Sequence, residues 1–103
     1  MHIIILITAK DKKEADKIAK KLIQSKLAAC VNIVGGIKSL FWWQGKVDQA
    51  KELLLIVKSR KEKFAKIAKL VKAIHSYAVP EIIAIPVVCG FQPYLDWIND
   101  SIR

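Results

Sequence analysis

Three residues that can bind metal ions or transfer protons lie close together near the end of a predicted helix: His75, Tyr77 and Glu81. At this spacing they can form a small polar site, with His75 and Glu81 as ligands of a metal ion. A closed metal site needs three or four such ligands, so this pair predicts a weakly bound ion. The same spacing is equally consistent with His75 being a structural residue. In that case its largely exposed ring interacts with the helix C-terminus.

Two further kinds of reactive side chain have structural explanations of their own. Lys58 follows an apolar run and either begins a solvent-facing turn or pairs with a carboxylate such as Glu81. Cys30 and Cys89 have no partner at metal-ligand spacing, so we expect two buried, unreactive thiols. The chain has no nucleophile elbow, phosphate-binding loop or dinucleotide-binding glycine pattern, which favours a protein that is not an enzyme.

The composition predicts one globular domain with a basic surface. The chain has 103 residues, 53% of them hydrophobic, and we assign residues 1–103 to a single domain. The net charge is +9, and only Arg60 and Arg103 among the 18 basic residues are arginine. Phosphate and nucleic-acid sites favour the arginine fork, so we expect a solvated lysine surface. A lysine-rich module that binds anions or nucleic acids remains the alternative.

The hydrophobic segments are short. The longest uninterrupted apolar run, Ile3 to Ile7, cannot span a membrane, and the first residues lack the features of a signal peptide. We therefore expect a cytoplasmic protein without a membrane partner.

The apolar pattern predicts the element order β-α-β-β-α-β-α. Strands are expected over residues 2–9, 28–43, 46–58 and 81–88, and helices over residues 11–26, 59–75 and 91–102. Capping boxes at Asp11 and Ser59 begin the first two helices. The pair Gly35-Gly36 is expected to mark a bulge or bend in strand two, and Gln44-Gly45 forms a hairpin turn. The first six elements match the ferredoxin-like split βαβ sandwich, an α+β fold with strand order 4-1-3-2.

This fold leaves apolar surface uncovered. Both central strands are apolar on both faces, but the two helices of the split βαβ unit cover only one face. Strand two would be about 50 Å long against about 24 Å for the first helix, so the hairpin must project. Its tip carries Phe41, Trp42 and Trp43, which we interpret as a subunit interface. The central strands carry no aromatic residue, which argues against RNA binding by stacking.

Several sequence blocks together resemble the CutA family of divalent-cation tolerance proteins. The resemblance covers nearly the whole chain and is most specific in the Trp-Trp-x-Gly-Lys and His-x-Tyr-x-x-Pro-Glu motifs. The blocks are LAACVNI at 27–33, SLFWWQGKV at 39–47, LIVKS at 55–59, HSYAVPE at 75–81 and YLDW at 94–97.

The resemblance implies a ferredoxin-like fold, a tight homotrimer similar to PII signal proteins, and a link to copper and other divalent metals, with no catalytic activity or required cofactor. Members implicated in copper binding carry a Cys in the first strand and a His-His pair, where this chain has Ile7 and Ile74-His75. We therefore expect Cu(II) or another divalent cation to bind only weakly. We also expect Lys58, Tyr77 and Trp43 to line an inter-subunit cleft, and we keep a trimeric scaffold for a partner protein as an alternative role.

Overall fold

A computed structural model describes all residues from 1 to 103 and contains four strands and three α-helices in the predicted order. No helix is long and apolar enough to cross a membrane. The elements are β1 (His2–Ala9), α1 (Lys12–Gln24), β2 (Cys30–Trp43), β3 (Lys46–Arg60), α2 (Phe64–Ile74), β4 (Ile82–Pro86) and α3 (Gln92–Ser101), with a short 3-10 turn (Lys61–Lys63) before α2.

The four strands form one antiparallel sheet in the order β2-β3-β1-β4, which confirms the predicted topology. β1 and β3 are the central strands and pair over the whole length of β1, from His2 opposite Arg60 to Ala9 opposite Leu53. β4 is an edge strand, as Pro86 requires, because proline cannot donate a hydrogen bond to a neighbouring strand.

The hydrophobic core lies between the two long helices and one face of the sheet. Alternate residues of β1, such as Ile5 and Ile7, are fully buried there. Ile18 and Leu22 of α1 and Ile67 of α2 pack over the same face. Each such side chain contributes about 1.5–3 kcal/mol of burial free energy, so this layer fixes the sheet relative to the helices.

The opposite face of the sheet is only partly covered. Ile4 and Leu6 of β1 are half-buried there, and their partners on β4, Ile85 and Ile83, are about half exposed. α3 holds one end of the sheet, where the Arg60 guanidinium donates a 2.6 Å hydrogen bond to Asn99 Oδ1. The prediction that the helices of the split βαβ unit cover one face is confirmed.

β2 and β3 form the projecting hairpin. The register shifts between Val34 and Ile37, which confirms the predicted bulge at the glycine pair. Gln44 and Gly45 both have positive φ angles, 51° and 76°, as a type I′ turn requires, and this confirms the predicted hairpin turn. With its hairpin the molecule is elongated, with principal extents of 44 × 26 × 23 Å.

Two local predictions are wrong. Ser59 does not cap α2, because β3 continues to Arg60 and the fully buried Ser59 hydroxyl donates a 2.6 Å hydrogen bond to the Leu27 carbonyl. The cysteines are not both buried, since Cys30 is half-buried and Cys89 is exposed. Cys89 lies in the segment between the edge strand β4 and α3.

Candidate functional site

His75 lies at the end of α2, where both of its ring nitrogens have backbone partners. Nε2 is 2.8 Å from the Thr8 carbonyl oxygen, which can only accept, so Nε2 carries the proton. Nδ1 then accepts a 3.0 Å hydrogen bond from the Tyr77 N–H. The imidazole is fully buried, which contradicts the expectation of an exposed ring. The ring joins β1 to the segment that follows α2.

Glu14 stands beside His75, in the first turn of α1. The Asp11 carboxylate accepts a hydrogen bond from the Glu14 N–H, which confirms the predicted helix start. The Glu14 carboxylate accepts from the Lys10 N–H at 3.1 Å and from the Ser76 N–H at 2.8 Å. Burial raises the pKa of Glu14, but the hydrogen bonds from Ser76 and Lys10 and the nearby His75 outweigh it, and the net pKa is lowered.

Tyr77 connects the same segment to the hairpin. Its hydroxyl donates a 2.7 Å hydrogen bond to Oε2 of Glu52, a buried carboxylate on β3. Burial, the hydrogen bond to Glu52 and the charge of Glu52 together raise the pKa of Tyr77 to about 12. The Tyr77 ring also contacts the His75 ring, with centroids 4.8 Å apart. At neutral pH the phenol is therefore protonated and acts as a donor.

We call Glu14, Glu52, His75 and Tyr77 the junction cluster. Its hydrogen bonds connect the segment after α2 to β1, α1 and β3, across sequence separations of 67, 62 and 25 residues. Both nitrogens of His75 are occupied, so its ring would have to leave the Thr8 carbonyl or the Tyr77 N–H before it could bind a metal ion. In this arrangement the cluster serves to position the segment that leads into β4.

The structure brings His75 and Tyr77 together but leaves Glu81 outside the junction cluster. Glu81 is exposed and precedes β4, and its side chain makes no hydrogen bond or ion pair. Lys58 lies elsewhere, where it donates a hydrogen bond to Asn32 Oδ1 and its Nζ is 3.9 Å from Cys30 Sγ. The predicted pairing of Lys58 with Glu81 is absent within one chain.

The distance between Lys58 and Glu81 follows from the register. Lys58 pairs with Ile4 of β1, whereas Glu81 comes directly before Ile82, the partner of Ile7. The two residues are therefore about four positions, or about 13 Å, apart along the strand direction, with β1 between their strands. The register therefore keeps Lys58 and Glu81 apart within one chain.

The three residues expected in a cleft occupy successive levels of the hairpin. Lys58 and Glu52, the partner of Tyr77, are six residues apart on β3, which corresponds to about 20 Å. Lys46, the partner of Trp43 at the tip, lies a further six residues away, about another 20 Å. A single chain therefore does not bring Lys58, Tyr77 and Trp43 into one site.

The aromatic residues of the hairpin are exposed in the single chain. Trp42 is 76% exposed and Trp43 58%, while Phe41 is 39% exposed. Large exposed aromatic side chains on a projecting ribbon are typical of an interaction surface.

The local sequence pattern does not identify Glu14 and Glu52 as members of the site. Glu14 belongs to the capping box that begins at Asp11, and Glu52 lies within the strand predicted over residues 46–58. The available signal was a carboxylate in a position expected to be buried, which requires a hydrogen-bonding partner. The partners themselves, Ser76 and Tyr77, are 62 and 25 residues away.

Comparison with known proteins identifies the family. The sequence profile described as "CutA1 divalent ion tolerance protein" matches residues 3–101. The divalent-cation tolerance protein CutA of Archaeoglobus fulgidus is 53% identical over 103 residues, with all of both chains covered. That of Thermus thermophilus is 46% identical over 101 residues, covering 98% of each chain.

Solved structures agree over the full length. A structure described as the periplasmic divalent cation tolerance protein CutA from A. fulgidus superimposes with a TM-score of 0.97 at 52% identity. The T. thermophilus protein superimposes with a TM-score of 0.98 at 46% identity, and both comparisons cover 100% of each chain. The α+β fold is therefore shared with solved members, and this chain belongs to the CutA1 divalent ion tolerance protein family.

Proposed function

We propose that this chain acts in divalent-cation tolerance as a non-enzymatic homotrimer, similar in assembly to PII signal proteins. The homotrimer responds to a small ligand or a cation that binds in clefts between its subunits. The relatives named above are divalent-cation tolerance proteins, which supports the cation role. The observations that carry the assembly are the half-covered sheet face and the exposed tryptophans of the projecting hairpin.

The uncovered surface favours self-association over a monomer. Ile83 and Ile85 of β4 are 52% and 48% exposed, and Trp42 at the hairpin tip is 76% exposed. The chain is also 53% hydrophobic, which is high for a domain of this size. Copies of the chain packed on this face would bury the apolar residues, and the projecting hairpin can reach a neighbouring subunit.

Assembly supplies the geometry for the proposed cleft. Lys58, Tyr77 and Trp43 lie at levels about 20 Å apart within one chain, so residues from at least two subunits are needed to form a common site. Lys58 carries a positive charge on the half-covered face, and the Tyr77 hydroxyl is held by Glu52. This combination favours a small polar ligand over an apolar one.

Cation binding is proposed to be weak. His75 and Glu81 supply two ligands at most, and the imidazole is committed to the Thr8 carbonyl and the Tyr77 N–H. Cu(II) or another divalent cation bound by so few groups keeps water in its coordination shell, and its affinity is correspondingly low. No cofactor is required in this proposal.

A growth assay tests the cation role. A host strain lacking its own member of the family, expressing this chain, is expected to grow at a divalent-cation concentration that arrests the same strain with an empty vector. A variant with Trp42→Ser and Trp43→Ser, expressed at a matched level, is expected to lose this protection. Equal growth of the empty-vector strain and the strain with the native chain would contradict the proposal.

A further inference from the structure

An open groove of about 440 Å³ lies where the hairpin leaves the body of the molecule. Three lysines line it: Lys10 after β1, Lys38 on β2 and Lys51 on β3. A smaller groove of about 240 Å³ is lined by Lys38 and Lys51 as well. Two concave surfaces on this part of the hairpin therefore share the same pair of lysines.

The positive charge of this groove is not balanced by the protein. Lys38 and Lys51 are direct cross-strand partners, an arrangement in which like charges destabilise a sheet. Neither they nor Lys10 forms an ion pair with a carboxylate. The single acidic residue of the lining, Glu52, is buried and accepts the hydrogen bond of Tyr77. The three lysines are therefore free to interact with an anionic ligand.

The backbone at the groove is shaped by the bulge. Gly36 and Ile37 line the groove at the point where the register of β2 shifts against β3. Gly36 has a φ of 74°, and a Cβ atom there would meet nothing within 4 Å, so the space beside it is open to a ligand. Bulges redirect the strand locally, and this one lies beside the charged pair.

We propose that this groove binds a small phosphate-bearing polyanion, such as inorganic pyrophosphate. Lysine ammonium groups bind phosphate as point charges, and two or more negative charges are needed to balance the three lysines. The groove volume falls in the range of small-molecule sites. No aromatic side chain lines the groove, so bases would have nothing on which to stack, and a nucleic acid is disfavoured. This site does not depend on the proposed cation role.

Calorimetric titration of the native protein with pyrophosphate tests the proposal. We expect saturable binding that weakens as salt is raised, and about tenfold weaker binding to a Lys38→Gln/Lys51→Gln variant. The matched control is Lys66→Gln/Lys69→Gln on the exposed side of α2, which should keep near-native affinity. Each double variant removes two of the +9 charges, leaving +7, so net charge alone cannot separate them.

Thermal unfolding supplies a second readout. Without pyrophosphate, the Lys38→Gln/Lys51→Gln variant should unfold at a higher temperature than the control variant, because the opposed charges are gone. With pyrophosphate, the native protein and the control should be stabilised and the hairpin variant should not. The proposal would be overturned if the two variants bound pyrophosphate with equal affinity or if the native protein showed no saturable binding. It would also be overturned if citrate bound as tightly as pyrophosphate, or if a single-stranded oligonucleotide of higher affinity displaced pyrophosphate.

Discussion

Replacing Tyr77 with phenylalanine removes one hydroxyl and leaves the rest of the junction cluster in place. That hydroxyl is the 2.7 Å donor to Glu52, whose side chain is 6% exposed and lies on a central strand. A hydrogen bond to a charged group contributes about 1.5–3 kcal/mol, and a buried carboxylate left without its donor costs a similar amount. We therefore expect the free energy of unfolding to fall by about 2 kcal/mol at neutral pH.

Chemical denaturation at one fixed protein concentration measures this effect, because the stability of an assembled protein depends on concentration. Tyr94→Phe is the matched control. Because Tyr94 is 41% exposed, removing its hydroxyl should change the free energy of unfolding by about 0.5 kcal/mol or less. A double-mutant cycle of Tyr77→Phe with Glu52→Gln should show coupling between the two sites. If Tyr77→Phe destabilises the protein no more than Tyr94→Phe does, the junction cluster does not hold the fold together as described.

Further predictions concern pH and metal. The pKa of Glu14 in the folded protein is below its ordinary value of 4.5, so the ionised carboxylate stabilises the fold above pH 4.5. This stabilisation is lost as the pH falls through the pKa of the folded state. Glu14→Gln should therefore reduce the loss of stability at acid pH. The pKa of Tyr77 is raised from its ordinary value of 10.0 to about 12 in the folded protein, so the protonated phenol stabilises the fold below pH 10. This stabilisation is lost between pH 10 and 12. Tyr77→Phe should remove the tyrosinate absorbance that develops near pH 12. Calorimetry with Cu(II) at neutral pH should show micromolar, heterogeneous uptake that partly survives His75→Ala. One nanomolar site per subunit, abolished by His75→Ala, would refute the account of His75.

The features that the sequence predicted correctly depend on local chemistry. The positive φ angles at Gln44 and Gly45, the bulge at the glycine pair and the Asp11 cap each follow from a few neighbouring residues. The strand order follows from the element order because few topologies connect these elements without crossings.

The features that it did not predict depend on contacts between distant segments. Ser59 has the spacing of a helix cap, but it pairs with Ile3 of β1, which extends β3. Its hydroxyl donates a hydrogen bond to the Leu27 carbonyl instead of capping α2. A buried hydrogen bond to another element therefore outweighs a local capping preference. His75 is buried for the same reason, because its ring donates a hydrogen bond to the Thr8 carbonyl on β1. Helix periodicity in the sequence cannot predict this contact with a distant strand.

The mass of the native protein in solution tests the central claim of assembly most directly. Light scattering at micromolar concentration is expected to give about 35 kDa, three times the 11.6 kDa of one chain, and the mass should persist on dilution. The variant with Trp42→Ser and Trp43→Ser should lose this assembly and aggregate, because the sheet face then has no cover. A stable monomer of 11.6 kDa for the native chain would contradict the trimer and, with it, the clefts between subunits.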